Sequence, residues 1–197
     1  MNLFLWGALP YIAFTFLIVG TLVRFFYFER NWTTKSSQFL EKKQLRIANP
    51  LFHFGLLCVI GGHVVGVLIP KTWTAAICIN DHMYHQGALY MGAVAGFIFI
   101  VGFLLLMKRR FTVAELKVNT SGLDKWLYLF LTLAIFSGMA GTLLNASGFF
   151  DYRVSIGPWF RSLLVFMPDP SLMEGVPFMF KFHMFAWMAV AIIYPLN

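Results

Sequence analysis

The chain has 197 residues, 59% of them hydrophobic and only 12% charged, with a mean hydropathy of +0.74. A soluble domain with an ordinary charged surface is excluded. The formal net charge of +7 is spread along the chain as topology signals are, so no nucleic acid is expected as a partner.

Five apolar segments follow one another. The first covers about residues 3–27, and Pro10 is expected to kink it. No basic region precedes it and no small-residue cleavage site follows, so it reads as a retained helix and not a signal peptide. A polar stretch with Arg30, Lys35, Lys42, Lys43 and Arg46 leads to a second helix over about residues 47–70, ended by Pro70. The third, about 87–107, carries Gly92 and Gly96 at GxxxG spacing, which suits close helix contact. The fourth, about 126–150, has a small-residue patch at Ser137, Gly138, Ala140 and Gly141, and the fifth covers about 178–197. Before the fifth, SIGPWFRSLLVF reads as an interfacial helix dipping Trp159, Phe160, Leu163 and Leu164 into lipid. The expected architecture is all-α: one polytopic membrane bundle of five transmembrane helices over 1–197.

The stretches after the first and third helices, with Arg24, hold eleven of the fifteen Lys and Arg residues. By the positive-inside rule those stretches face the cytoplasm, with the N-terminus outside and the C-terminus cytoplasmic.

The run Leu51 to Pro70 carries His53 and His63, ten residues apart. On a straight helix they differ by about 15 Å in depth and about 80° in direction, so they cannot share one metal ion. An intramembrane imidazole needs a partner, either haem iron or a carbonyl on a neighbouring helix. Gly55, Gly61, Gly62 and Gly66 would let a flat macrocycle approach the backbone, or would pack helix on helix. His183, early in the fifth helix, enters from the same side as the end of the second. His63 and His183 are therefore expected at one depth, about 8 to 10 Å below the outer boundary. Two histidines on different helices at one level are what axial ligation of one haem requires. No partner appears for His53.

No CxxCH is present, which excludes covalent c-type haem, and two cysteines cannot hold an iron–sulfur cluster alone. Cys58 and Cys78 lie at different depths, so no disulfide is expected between them.

Taken together, SSQFLEKKQLRIANPLFHFG, GGHVVGVLIP, the KRR after the third helix, PWFR, PDPS and the early His of the last helix resemble the cytochrome b, or gamma, subunit of respiratory nitrate reductase. PDPSLMEGVPF is similar to versions from Gram-positive bacteria. The resemblance implies a cell-membrane protein with two b-type haems. It also implies quinol oxidation, of ubiquinol or menaquinol, near the outer face. Electrons would go to a cytoplasmic iron–sulfur (beta) subunit and through it to a molybdenum (alpha) subunit. Carried over by residue, His53 resembles a ligand of the cytoplasm-proximal haem, while His63 and His183 resemble the two ligands of the distal haem. The family pattern continues past the Tyr-Pro pair with an Arg and a fourth ligand His, so that ligand is expected beyond Asn197. His82 and His85 are either solvated loop histidines or proton acceptors for quinol, with His85 the first choice because it is nearer the helix. Two other readings use the same histidines: a quinol-oxidising cytochrome of another reductase, such as one associated with sulfite reduction, and a proton transporter or channel.

Overall fold

The structure, a computed structural model, describes residues 2–27 and 42–197. The polar stretch with Arg30 and Lys35 lies outside the described residues. The helices are α1 (Phe4–Tyr27), α2 (Lys43–Leu68), α3 (Lys71–Ala76), α4 (Asp81–Thr112), α5 (Ala114–Val118), α6 (Gly122–Leu144), α7 (Ile156–Leu164) and α8 (Phe178–Leu196). Of these, α1, α2, α4, α6 and α8 are long and apolar enough to cross a membrane. Among the described residues there is no strand.

Helix limits differ from the limits of the apolar runs for a physical reason: hydropathy marks the part in lipid, and caps mark the helix. α4 starts six residues before Gly87, because the Asn80 side chain accepts from the Met83 N–H at 2.8 Å and caps the first turn. His82 and His85 are thus on a helix and not in the loop before it. α6 starts at Gly122 through a capping box, in which Ser121 Oγ accepts from Asp124 N–H (3.0 Å) and Asp124 Oδ2 accepts from Ser121 N–H (2.7 Å). It stops at Leu144, earlier than expected. The Asn145 side chain folds back on Phe150, donating to its carbonyl at 2.9 Å and accepting from its N–H at 3.1 Å.

The helices pack in the order α2 on α4, α4 on α6, α6 on α8 and α8 on α1. Glycines set the first of these contacts: a Cβ on Gly55 would lie 2.6 Å from Phe99 Cα, and one on Gly102 would overlap the Phe52 backbone. Gly92 and Gly96 serve otherwise than their spacing suggests. They face side chains of α6, with Met139 Cε 2.7 Å and Thr142 Cγ2 3.8 Å from the added Cβ positions.

Pro10 lies between two π-helical turns, Phe4–Ala8 and Phe16–Gly20. An α-helical residue 10 would donate to the Trp6 carbonyl, and proline has no N–H. Trp159 Nε1 donates to that carbonyl instead, at 2.8 Å. This corrects the interfacial reading of α7 for Trp159 and Leu163, while Leu164 stays 53% exposed. Trp159 and Leu163 are each 2% exposed and belong to a core with Trp6, Ala13, Met173 and Met188, so the apolar face of α7 is turned onto protein.

Two ends of the bundle emerge from the contacts. At one, Arg24 Nη1 donates to Pro195 O (3.4 Å), and Asp124 accepts from Arg110 Nη2 (3.3 Å) and Asn197 Nδ2 (3.0 Å). At the other, Arg161 Nη1 donates to the Val67 carbonyl at 2.7 Å, beside the end of α2. The second end holds the N-terminus of α1 and of α8, and it is called here the amino-terminal face.

Candidate functional site

α2 and α8 bring His63 and His183 together, with ring centroids 5.9 Å apart and planes inclined by 29°. The depth match expected from their places in the two helices is present in the fold. His53 is ten residues back along α2, about 15 Å toward the other end.

Each of the three imidazoles is oriented through Nδ1. His53 Nδ1 lies 2.9 Å from Asn49 O, His63 Nδ1 2.7 Å from Val59 O, and His183 Nδ1 2.9 Å from Ala134 O. A carbonyl only accepts, so Nδ1 carries a proton in all three, and Nε2 is the nitrogen that holds the lone pair in the neutral ring. Fixing a histidine by donating one ring N–H to a carbonyl is the usual way to present the other nitrogen to a metal. Only His183 makes the bond to a neighbouring helix that a purely structural histidine would make, whereas His53 and His63 bond within α2, and in each ring the bond consumes only one nitrogen.

The rings fit a haem by spacing as well as by donor chemistry. With a ligating nitrogen about 2 Å from the metal on either side, plus about 1 Å to each ring centre, two axial imidazoles have centroids about 6 Å apart. Gly138 makes room on the α6 side: a Cβ there would lie 2.8 Å from His183 Cε1 and 3.1 Å from its Nδ1. Beside His63, Gly61 and Gly62 have nothing within 4 Å of an added Cβ. Gly55 and Gly66, expected to share that role, pack against Phe99 and against Tyr84 and Tyr152. Among the described residues no three His, Cys, Asp or Glu side chains cluster as if on a metal ion. Cys58 and Cys78 are free thiols.

About one turn beyond His63, Gly66 meets the Tyr84 and Tyr152 hydroxyls. Both tyrosines line a recess of about 100 Å³ together with His85, Asp81, Asp151 and Arg153. His85 Nε2 donates to Ala146 O at 3.1 Å, so its Nδ1 keeps the lone pair, the reverse of the other three histidines. Gly148, at φ +73°, lets the chain turn against the His85 ring. His82 is exposed and does not line the recess.

Four charges close the recess. Lys71 Nζ is 2.7 Å from Asp81 and 3.1 Å from Asp151, while Arg153 is 3.0 Å from Asp81 and 3.3 Å from Asp151. Arg153 is 4% exposed in its side chain and lies 3.8 Å over the Tyr84 ring. The Asp81 and Asp151 carboxylates hold the Lys71 ammonium above the usual lysine range. Burial pushes the Asp151 carboxyl up, but the Arg153 N–H and Lys71 outweigh it and leave it below its ordinary value. Burial pushes the Tyr152 phenol well up, so it remains a hydroxyl. The charge count by loop used only the basic residues and missed this network. Its signal was two residues of each sign in loops that reach the same end of the bundle.

Five apolar helices long enough to cross a membrane, with two imidazoles brought 5.9 Å apart between α2 and α8, define a polytopic membrane protein with a histidine pair inside its bundle. Residues 2–197 match the model of the nitrate reductase gamma subunit family, and the chain belongs to that family. It is 45% identical over 192 residues to the nitrate reductase gamma chain of Bacillus subtilis strain 168, spanning 97% of this chain and 86% of that protein. It is 27% identical over 199 residues to the respiratory nitrate reductase 1 gamma chain of Escherichia coli K12, spanning 100% of this chain and 88% of the other. A 37% likeness over 96% of the chain covers 30% of the nitrate reductase-like protein NarX of Mycobacterium tuberculosis H37Rv. Gamma subunits are the cytochrome b components of nitrate reductase complexes, which implies alpha and beta partners. The family separates this chain from cytochromes serving sulfite reduction and from transporters.

Proposed function

We propose that this chain oxidises quinol at the amino-terminal face and delivers the electrons through two b haems to the iron–sulfur and molybdenum subunits of a nitrate reductase. The observation that carries the reading is the 5.9 Å separation of His63 and His183 with both Nδ1 atoms engaged on carbonyls. His63 and His183 would hold one haem, and His53 would supply one ligand to the second. When bound, the haem supplies one-electron chemistry across the bilayer.

The chain's own residues account for the proton side. Quinol oxidation releases two protons, and a neutral imidazole is suited to take the first. His85 has its Nδ1 lone pair available because Nε2 is bonded to Ala146 O. The resulting imidazolium would lie one helical turn from Asp81, in a recess that also holds Asp151. Arg161, by holding Val67 O, fixes the end of α2 next to that recess.

Positive charge supports an outward amino-terminal face, with the segments around Lys42 and Arg109 in the cytoplasm. Protons released outside while electrons move inward would make the subunit a charge-separating half of a redox loop. The test is the reduced-minus-oxidised visible spectrum of the membrane-bound complex, reduced with quinol. A b-type spectrum formed by quinol supports the reading, and a complex without b-type absorption refutes it.

A further inference from the structure

The turn that ends α7 exposes four consecutive large apolar side chains: Leu164 (53%), Val165 (66%), Phe166 (82%) and Met167 (75%). Its backbone needs no water to satisfy its N–H groups. Val165 N–H donates to Arg161 O (3.3 Å), Phe166 N–H to Leu163 O (3.1 Å) and Met167 N–H to Ser162 O (3.0 Å). Ser162 Oγ then accepts from Asp169 N–H at 3.1 Å. The last two backbone bonds are the paired closures of a Schellman motif, which places Phe166 at the left-handed position that glycine usually fills. Phe166 adopts it, at φ +58°. A bulky residue is strained there, and one that is so exposed recovers little of that from protein contacts beyond its stack on Tyr11 at 6.0 Å. In water, neither the strain nor the exposure has a compensating term.

The depth of the turn supplies one. Tyr11 Oη donates to Leu163 O at 2.9 Å, so the turn lies beside Tyr11 in the first membrane span. Tyr11 is thirteen residues, about 20 Å, from Arg24 at the opposite end of that span, and a hydrocarbon core of about 30 Å leaves about 10 Å above it. Helical side chains lean toward the helix N-terminus, which brings the Tyr11 ring and its Phe166 partner closer to the boundary. No charged side chain lies between Arg161 and Asp169, and Arg161 is turned away onto Val67 O. An irregular segment is tolerated next to lipid only when its polar backbone is satisfied from within, the condition that the N–H groups of this turn meet.

We propose that Leu164–Met167 is inserted into the lipid of the adjacent leaflet, at the boundary of headgroups and acyl chains, and anchors α7 there. The occupant is lipid and not a second copy of the chain or another subunit. The consequence is mechanical: the anchored helix is the one whose Trp159 holds Trp6 O and whose Arg161 holds the end of α2.

The test uses the full chain with Cys58→Ser and Cys78→Ser, carrying a nitroxide at Phe166→Cys or, separately, Met167→Cys. It is reconstituted in vesicles of phosphatidylethanolamine and phosphatidylglycerol in equal parts. Collision with oxygen, which partitions into lipid, is compared with collision with a water-soluble nickel chelate, and Val118→Cys, 86% exposed at the opposite end, serves as the control. Oxygen access should exceed nickel access at both turn positions, as at the acyl-chain edge of the bilayer, with the ratio reversed at Val118. Nickel access equal to or above oxygen access at both turn positions places the turn in water and overturns the proposal. Low access to both probes with an immobilised nitroxide places it against protein and overturns it equally. The Met167 label guards against a folding effect of replacing the strained Phe166.

Discussion

Trp159 donates its indole N–H to the Trp6 carbonyl at 2.8 Å, across 153 residues of sequence, and that carbonyl is the one Pro10 deprives of its α-helical donor. A local defect in α1 is thereby converted into a tertiary contact. Trp159→Phe keeps an aromatic ring but leaves a buried carbonyl without this donor, at a cost of about 1–3 kcal/mol. Thermal unfolding in detergent should show a lowered midpoint. Pro10→Ala restores a donor within the helix, so the loss from Trp159→Phe should shrink in the Pro10→Ala background. Equal losses in both backgrounds would mean that the bond does not compensate for the proline.

Gly138→Ala tests the packing behind His183. The new methyl would meet His183 Cε1 at 2.8 Å, closer than real side chains approach, and α6 cannot yield without disturbing its contact with α8. The expected result is a displaced imidazole: the haem component assigned to His63 and His183 should be lost or shifted in its low-temperature paramagnetic resonance spectrum, with the component assigned to His53 retained. An unaltered spectrum would show that the His183 ring does not need its present position for ligation.

His85→Ala should slow quinol-driven haem reduction by about 100-fold, the lower end of what a positioned base contributes, while both haem components remain in the dithionite-reduced spectrum. Asp81→Asn should have a smaller effect in the same direction. Unchanged quinol kinetics in His85→Ala would leave His85 as a helix-to-loop hydrogen bond to Ala146 and nothing more.

Much of this architecture was legible before any coordinates, and the reasons can be traced to particular residues. Five spans follow from apolar runs too long for a soluble fold, and the equal depth of His63 and His183 follows from counting residues to the ends of two helices. Caps were harder to read: Asn80 and the Ser121–Asp124 box lie outside the apolar runs, so hydropathy placed the starts of α4 and α6 too late. Glycine roles were not readable at all. Gly55 and Gly102, far from any mutual motif, make the close helix contact, whereas Gly92 and Gly96 at the expected spacing meet side chains. The amphipathic pattern of α7 was visible, but an apolar face does not say whether protein or lipid covers it. The pairing of Lys71 and Arg153 with Asp81 and Asp151 joins two loops that only the fold brings together.

That network should be insensitive to pH over a wide range. Lys71 is raised above its ordinary value of 10.5, so its contribution is complete below that value and is lost only as pH rises through the raised one. Asp151 is lowered below 3.8, so its contribution is complete above that value and is lost as pH falls through the lowered one. Hydrogen exchange of the Arg153 amide, which donates to Asp151 Oδ1 at 3.0 Å, should show constant protection from about pH 5 to about pH 9 after correction for the intrinsic rate. Protection should fall at more acid pH, and Asp151→Asn should remove that dependence. Protection that fades inside that window would show that the ion pairs of Asp151 do not control this amide.

The pairing of His63 with His183 is tested most directly by low-temperature electron paramagnetic resonance of the assembled complex, comparing wild type with His63→Ala, His183→Ala and His53→Ala. A b-type haem has no covalent attachment to hold it once a ligand is removed. His63→Ala and His183→Ala should each abolish the same low-spin signal and leave the same signal behind, while His53→Ala should affect the one those two variants retain. Loss of different signals in His63→Ala and His183→Ala, or both signals intact in either, would show that the two imidazoles do not share one iron.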